Sequence, residues 1–361
     1  MERLRKLLLL MKNASASRSI VGQCFDLVLH KLMINIGLRD YYFFEFYKQE
    51  LTWEQKSRYA SMLGSRYWVF EKNPFKYQIL FTDKYIQKML LTGLNLPTPA
   101  VIALLGTSGP VSSLQGFEAV VEDAPKEFVL KPVSARGGRG FRKFHKSQGE
   151  LLEGDDPIQL GDLWHSLQAD MSRGILVEET VHNTELIRQM NASSLNTFRV
   201  ITFQFPNVGW QSICSYLKVG RRNSIVDNRH AGGLLVRIDN DGRTGSALDP
   251  KTGLEHSHHP ETGAALAGVL IDGFSDVVDL AVDASAAFSE MGILGWDIAL
   301  TPNGPTIIEV NASPAVDYLQ AAYGGLVTDE MAQCLTRRHL FSRYPKTHLY
   351  PDHLRDRKGR I

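Results

Sequence analysis

The chain has 361 residues, 40 Lys+Arg against 39 Asp+Glu, a net charge of +1, and 43% hydrophobic and 22% charged residues. That balance excludes a disordered chain, a collagen-like fibre and a disulfide-dense scaffold, and the length favours two or three domains with real cores. Near-neutral charge gives no basis for nucleic-acid binding, and Cys24, Cys214 and Cys334 are too scattered for a CxxC pair, which points to a reducing, cytoplasmic setting.

The apolar run Leu7–Met11 is far shorter than the roughly 18 residues of a membrane helix and reads as part of an amphipathic first helix. Arg3, Arg5, Lys6 and Lys12 around it are the only support for the alternative, a peripheral contact with the inner face of a membrane. Residues 1–75 read as mostly helical. Tyr41, Tyr42, Phe43, Phe44, Phe46 and Tyr47 suit a core or a docking surface better than a cofactor site. A helix is predicted over Asp83–Gly93, then a break at Leu94–Pro99 and a buried strand over Ala100–Leu105.

Strands follow over Lys126–Pro132, Phe141–Phe144, Ile175–Val181, Phe198–Phe205, Gln211–Val219 and Gly232–Asp239, with Ser134–Gly140 as a glycine-rich loop. Asp239–Gly242 reads as a plain hairpin turn, because the later ligands of a calcium loop are missing. An amphipathic helix over Asp276–Met291 leads into the strand Gly295–Leu300. The stretch from Arg337 onward is basic and reads as a solvated end.

Three patterns carry chemistry. The first is the hairpin from Gly295 to Asn311. Pro302-Asn303-Gly304 suits a three-residue loop closed by Thr301 and Pro305. In that register Asp297 faces Glu309, and Asn311 lies two residues further along the same face. Facing carboxylates repel, and a hard divalent cation is the natural compensation. The alternative is an exposed hairpin whose polar face meets water. The second pattern is Lys131 closing a strand before Gly137, Gly138, Arg139 and Gly140, where a lysine and loop amides could hold phosphate oxygens. A simple turn explains the glycines equally well. The third is Glu178 and Glu179 at a strand end, with Val181 after them and Glu185 seven residues beyond Glu178. Such an end offers backbone groups to an adenine edge and a carboxylate to ribose, or is merely an exposed acidic strand end.

Two loops are less informative. Asp227–Gly233 is either an acceptor-substrate loop, with Arg229 gripping an acidic group, or a plain connection. His256, His258 and His259 read as part of an exposed mobile loop rather than a metal site.

In this order the patterns resemble the ATP-grasp superfamily from about Phe81 to Ala322, and most closely its sugar-transfer-associated group. Leu195–Val200, Gly295–Ile298 and Ile308–Pro314 carry that resemblance. It implies an α+β fold of two lobes with mainly antiparallel sheets and flanking helices. The segments would be a helical N-terminal part (1–80), an ATP-grasp N-terminal part (81–182), a C-terminal lobe with the metal site (183–330) and a basic tail (331–361). It also implies roles. Lys131 would contact the α/β phosphates, with Gly137, Gly138 and Gly140 closing over the triphosphate. Glu178, Glu179 and Val181 would form the adenine hinge, and Glu185 would hold ribose. Asp297, Glu309 and Asn311 would bind one or two Mg²⁺, with Mn²⁺ as a substitute. Arg199, Lys218 and Arg229 would stabilise charge near the transferred phosphoryl group or the substrate. The Glu-x-Asn-x-Ser-Pro ending is similar to D-alanine–D-alanine ligases as well, but these carry an Arg where Gly295 stands, so that duty shifts to Arg199 or to Arg221, Arg222 and Arg229. The implied function is an ATP-dependent carboxylate–amine ligase working through an acyl phosphate and releasing ADP, on a small or sugar-linked substrate of surface-polysaccharide biosynthesis. The alternatives are a phosphotransferase and an ATP-binding module without turnover.

Overall fold

The computed structural model describes residues 2–335, apart from Ser108, Arg136, Arg229, His230, Asp317, Tyr318, Ala321 and Ala322. The basic stretch from Arg337 lies outside the described residues. Two compact units form. One gathers Met1–Lys76, Phe205–Gly209 and the chain from Ser313; the other gathers Tyr77–Gln204 and Trp210–Ala312.

The first unit is helical. It contains α1 (Glu2–Ala14), α2 (Ile20–Ile34), α3 (Leu38–Phe43), α4 (Trp53–Ser57) and α5 (Met62–Lys72). Helix starts follow side-chain chemistry: Ser19, Thr52 and Ser61 each accept a backbone N–H in the first turn. The aromatic cluster is core. Tyr41, Tyr42, Phe44 and Phe46 are buried together with Ile36 and Tyr59.

The second unit contains two sheets with helices on their flanks. The chain enters it within α6 (Phe75–Gln78) and continues to α7 (Lys84–Gly93), which Asp83 caps by accepting the Ile86 N–H at 2.9 Å. The six-stranded sheet uses β1 (Val101–Leu105), β2 (Glu127–Pro132), β3 (Arg142–Ser147), β4 (Glu150–Glu153), β5 (Asp156–Pro157) and β6 (Ile175–Glu179), in the order β1-β6-β2-β3-β4-β5. Helices α8 (Leu114–Asp123) and α9 (Leu160–Met171) bury Phe117, Leu163 and Leu167 against Phe128, Leu130 and Val177.

After α10 (Glu185–Met190), the seven-stranded sheet uses β7 (Thr197–Phe205), β8 (Gly209–Val219), β9 (Leu234–Ile238), β10 (Thr244–Leu248), β11 (Glu255–His256), β12 (Ile293–Thr301) and β13 (Gly304–Asn311). Its order is β11-β10-β9-β8-β7-β12-β13. Helix α11 (Phe274–Ala286) covers one face. The fully buried Trp296 ties the two together, its indole N–H donating to Ser285 Oγ at 2.9 Å and Thr202 Oγ1 at 3.2 Å. This helix stops at Ala286 rather than Met291, because the chain turns there and the Met291 N–H bonds Phe288 O. The turn at Asp239–Gly242 is plain, with Gly242 at φ +82° and its N–H on Asp239 O.

The edge strand β13 is not left open. The Gln87 amide of α7 bonds both the N–H and the C=O of Val310, at 2.9 and 2.8 Å, and Pro97 O accepts the Ile307 N–H. A covered edge cannot recruit another strand. The same contact places the next residue of α7, Lys88, beside the sheets.

Candidate functional site

The hairpin brings Asp297 opposite Glu309 as its spacing predicts, but by a different route. The loop has two residues, Pro302 and Asn303, with Thr301 paired to Gly304 and not to Pro305. Ile298 pairs with Ile307 while Asp297 pairs with Glu309, so Ile308 is the extra residue of a bulge. The bulge breaks the alternation of the strand. Ile307 and Val310 both enter the core, and Glu309 turns to the face that carries Asp297. The shorter loop and the bulge cancel each other at this pair.

On the other side of β12, Asp297 pairs with Arg199 of β7. A row of Arg199, Asp297 and Glu309 therefore crosses three strands. Arg199 grips Asp297 with two hydrogen bonds, Nε to Oδ1 at 2.6 Å and Nη2 to Oδ2 at 2.8 Å. Lys218 of β8 adds a contact to Oδ1 at 3.0 Å and another to Asp227 at 3.5 Å. Asp227 is in turn held by the Thr197 N–H and hydroxyl at 2.9 and 2.6 Å. Asp297, Lys218 and Asp227 are all buried. Burial alone would raise the Asp297 carboxyl, but Arg199 and Lys218 outweigh it and hold it down at about 2. The charge that opposes carboxylate repulsion here comes from the protein's own cations.

Oxygen donors remain beside them. Among the described residues, neither the Glu309 carboxylate nor the Asn311 amide makes a hydrogen bond, and both side chains are half-buried. A carboxylate offers about four lone-pair sites; Arg199 and Lys218 occupy three on Asp297, which leaves one on Oδ2. Hard oxygen donors of this kind fit Mg²⁺. Among the described residues no three His, Cys, Asp or Glu side chains gather, so an ion here would take the amide as its third protein donor.

A second cluster lies around Glu178, which is 2% exposed. Its Oε2 pairs with Lys131 Nζ at 2.6 Å, and its Oε1 lies 3.7 Å from Lys88 Nζ and, among the described residues, has no hydrogen-bond partner. Lys88, absent from the predicted set, is 1% exposed and donates to Thr98 Oγ1 at 2.7 Å. Burial pulls its ammonium down to about 7, although Glu178 opposes the shift. The available signal was a lysine four positions into a capped helix, on the stripe that carries Gln87 and Leu91.

Gly137, Gly138 and Gly140 all have positive φ, at +67°, +74° and +72°. A Cβ on Gly138 would sit 3.0 Å from both Asn228 and Val226, and one on Gly140 would sit 2.7 Å from Pro132. The loop therefore needs glycine for backbone shape and for close approach. Lys84, also not predicted, braces the loop's start by donating to Ala135 O at 2.5 Å.

Lys131, Glu178, Glu179, Val181, Phe141 and Ile308 line one cleft. The Glu179 carboxylate is engaged in it by the Ala100 N–H at 2.9 Å. Glu185 is not among the lining residues; its side chain is 70% exposed and pairs with Arg188, which does line the cleft. Arg221 is committed to Asp249 at 2.5 Å and to Gly232 O at 2.8 Å. Arg229 and His230 lie outside the described residues. The expectation of an exposed histidine loop is corrected at His259. That ring is 1% exposed, contacts Gly220 O at 2.9 Å, and accepts N–H groups from Glu261 and Thr262, which fixes the loop in place.

Two antiparallel sheets with flanking helices, a strand lysine beside a glycine loop and an acid–acid–amide set on a terminal hairpin define an ATP-grasp protein. The sequence matches the family described as sugar-transfer associated ATP-grasp over residues 65–334, three quarters of the chain, and the protein belongs to that family. Among solved structures, biotin carboxylase from Campylobacter jejuni in a β,γ-ATP complex aligns at a TM-score of 0.42 and 14% identity, covering 71% of this chain and 46% of that one. D-alanine–D-alanine ligase from Bacillus anthracis aligns at a TM-score of 0.37 and 13% identity, covering 70% and 67%. The chain thus spans about half the length of the first and two thirds of the second. No curated protein matches the sequence.

Proposed function

We propose that the protein is an ATP-dependent ligase that activates a carboxylate as an acyl phosphate and passes the acyl group to an amine on a small or sugar-linked substrate. One arrangement carries the reading. In a member of this family, the unpartnered oxygens of Glu309 and Asn311 lie beside a carboxylate already fixed by Arg199 and Lys218. In the first step a substrate carboxylate oxygen attacks the γ-phosphorus. The bond to the β,γ-bridging oxygen breaks, and ADP leaves with that electron pair. In the second step the amine attacks the acyl carbon, phosphate leaves, and the nitrogen gives up a proton.

Catalysis of this kind is mostly positioning and charge stabilisation. Lys131 and the Gly137–Gly140 loop would bind the phosphates, and Glu178, Glu179 and Val181 would line the adenine. Glu185 would reach ribose only if its solvent-exposed side chain turned toward the cleft. Glu309, Asn311 and the remaining lone pair of Asp297 would hold Mg²⁺, which when bound neutralises negative charge on phosphate oxygens. Arg199 and Lys218 keep Asp297 ionised and oriented, and Arg229 is the proposed grip on an acidic substrate. The family's sugar-transfer association favours a setting in surface-polysaccharide biosynthesis.

The test is ADP release from Mg·ATP with pooled sugar acids and amino acids, using hydroxylamine as a trap. ADP with a hydroxamate supports the ligase. ADP with a stable phosphorylated product makes the protein a phosphotransferase, and tight nucleotide binding without turnover makes it a binding module. Glu309→Gln should lower turnover by about 10²–10³-fold with the thermal transition intact; undiminished turnover would remove Glu309 from the site.

A further inference from the structure

Helix α2 is built inside out. Its inward face carries Gln23, Asp26 and His30, all buried. Most of their polar atoms are used, with His30 Nε2 left without a partner among the described residues: Asp26 holds Arg18 at 2.9 and 3.0 Å and accepts the Tyr41 hydroxyl at 3.1 Å. Gln23 accepts the Tyr42 hydroxyl at 2.8 Å and donates to Met11 O and Arg18 O, while His30 Nδ1 contacts Asp26 O at 2.6 Å. The opposite stripe, at helical spacing, is apolar and open. Val21, Phe25, Val28 and Leu32 are 80%, 65%, 60% and 56% exposed. Leu8 and Leu9 of α1 add 56% and 58% exposure. A helix that turns a hydrogen-bonded polar face inward and an open apolar stripe to water marks an interaction surface.

We propose that this face docks on the surface of an anionic lipid bilayer. Charge selects that occupant. Residues 1–34 hold six Lys/Arg against two Asp/Glu, a net +4 on a chain of net +1, and one of those acids, Asp26, is buried against Arg18. Arg5 and Lys12 are exposed on α1 beside the leucines. Two copies meeting through this face would oppose like charges, whereas anionic headgroups attract each basic residue. Among the described residues no helix is long and apolar enough to cross a membrane, so the contact lies on the surface. The inference is independent of the proposed chemistry, since nothing in it involves the nucleotide cleft.

Flotation of the full chain with vesicles tests it. Vesicles of phosphatidylcholine mixed with phosphatidylserine should carry the protein upward, and phosphatidylcholine alone should bind at least about tenfold more weakly. Arg5→Gln with Lys12→Gln should weaken binding about 30-fold, from roughly a fivefold loss per removed charge. Val21→Asp with Phe25→Asp should abolish flotation while the thermal transition stays in place, because both positions face water in the fold. Absence of flotation overturns the proposal, as do equal binding to both vesicle types and variants that float like the original chain. A dimer in light scattering that the Val21→Asp/Phe25→Asp variant disperses, without flotation, assigns the face to a second copy and overturns it too.

Discussion

The cation that grips Asp297 with two hydrogen bonds in the seven-stranded sheet is the half-buried Arg199, backed by the buried Lys218, whereas the buried cation beside Glu178 near the six-stranded sheet is a lysine, Lys88. Arginine cannot shed its proton in a protein, so Arg199 stays charged at every working pH and Asp297 must stay ionised with it. Lysine can release its proton when buried. Lys88 does so near neutral pH, and the carboxylate it faces is shared with Lys131. One cluster is a fixed frame, with both oxygens of Asp297 gripped and a single lone pair left on Oδ2. The other is adjustable, with an orphan oxygen on Glu178 and one partner able to turn neutral.

The largest test of that contrast is Asp297→Ala. It removes the carboxylate that Arg199 and Lys218 share, leaving Lys218 with Asp227 and Arg199 with only the field of Glu309. Breaking a buried ion pair in this way costs about 3–5 kcal/mol, read from urea unfolding. Replacing both partners, Arg199→Met with Asp297→Leu, should restore most of the loss, because no arginine is then left uncompensated. A cost below about 1 kcal/mol for the single change would mean that solvent reaches the network, and the frame would not be a frame.

Lys88 supplies the next effect, and its sign is fixed by linkage. Its folded-state value of about 7 lies below the ordinary 10.5. Between those values the unfolded chain binds more protons than the folded one, so stability rises with pH. Below pH 7 both forms are protonated and this contribution is flat. Lys88→Met lacks the gain. Going from pH 7 to pH 9, the stability of the original chain relative to the variant should increase by about 2 kcal/mol, measured by urea unfolding at both pH values. A parallel pair of pH profiles would show that Lys88 stays charged, and the two clusters would then be alike.

The legibility of this site in the sequence follows the distance over which each signal acts. Asp297 and Glu309 sit on one hairpin, and turn chemistry with strand alternation was enough to pair them. The loop length was misjudged and the bulge at Ile308 was invisible, since a bulge is set by which of Ile307 and Val310 the core accepts. Arg199 could be placed near phosphate chemistry only through a family resemblance. Its grip on Asp297 depends on β7 lying beside β12, a strand order that no local pattern encodes. Lys88 and Gln87 were hidden for a related reason. A helix periodicity predicts which stripe is buried but not that the stripe will meet a strand edge needing an amide and a carboxylate needing a cation. The inverted α2 marks the limit of pattern reading, because an apolar stripe at helical spacing is ordinarily a core face and here the polar face takes that place.

The smallest effect is the sharpest discriminator. Glu178→Gln removes the carboxylate on which both lysines lean, yet it should cost only about 1 kcal/mol. The glutamine, unlike the alanine put in place of Asp297, keeps an oxygen that can accept from Lys131. Lys88 responds differently: without Glu178 to oppose burial, its protonation falls further below the ordinary range, and the group enters the folded state neutral at pH 7. The same substitution in a Lys88→Met background therefore measures the coupling between the two groups. If Lys88 is the adjustable partner, the Glu178→Gln cost should be nearly the same in both backgrounds at pH 9, where Lys88 is neutral, and should diverge at pH 6, where it is charged. Divergence at both pH values would mean that the lysine never releases its proton and that Glu178, like Asp297, is held in a permanent pair.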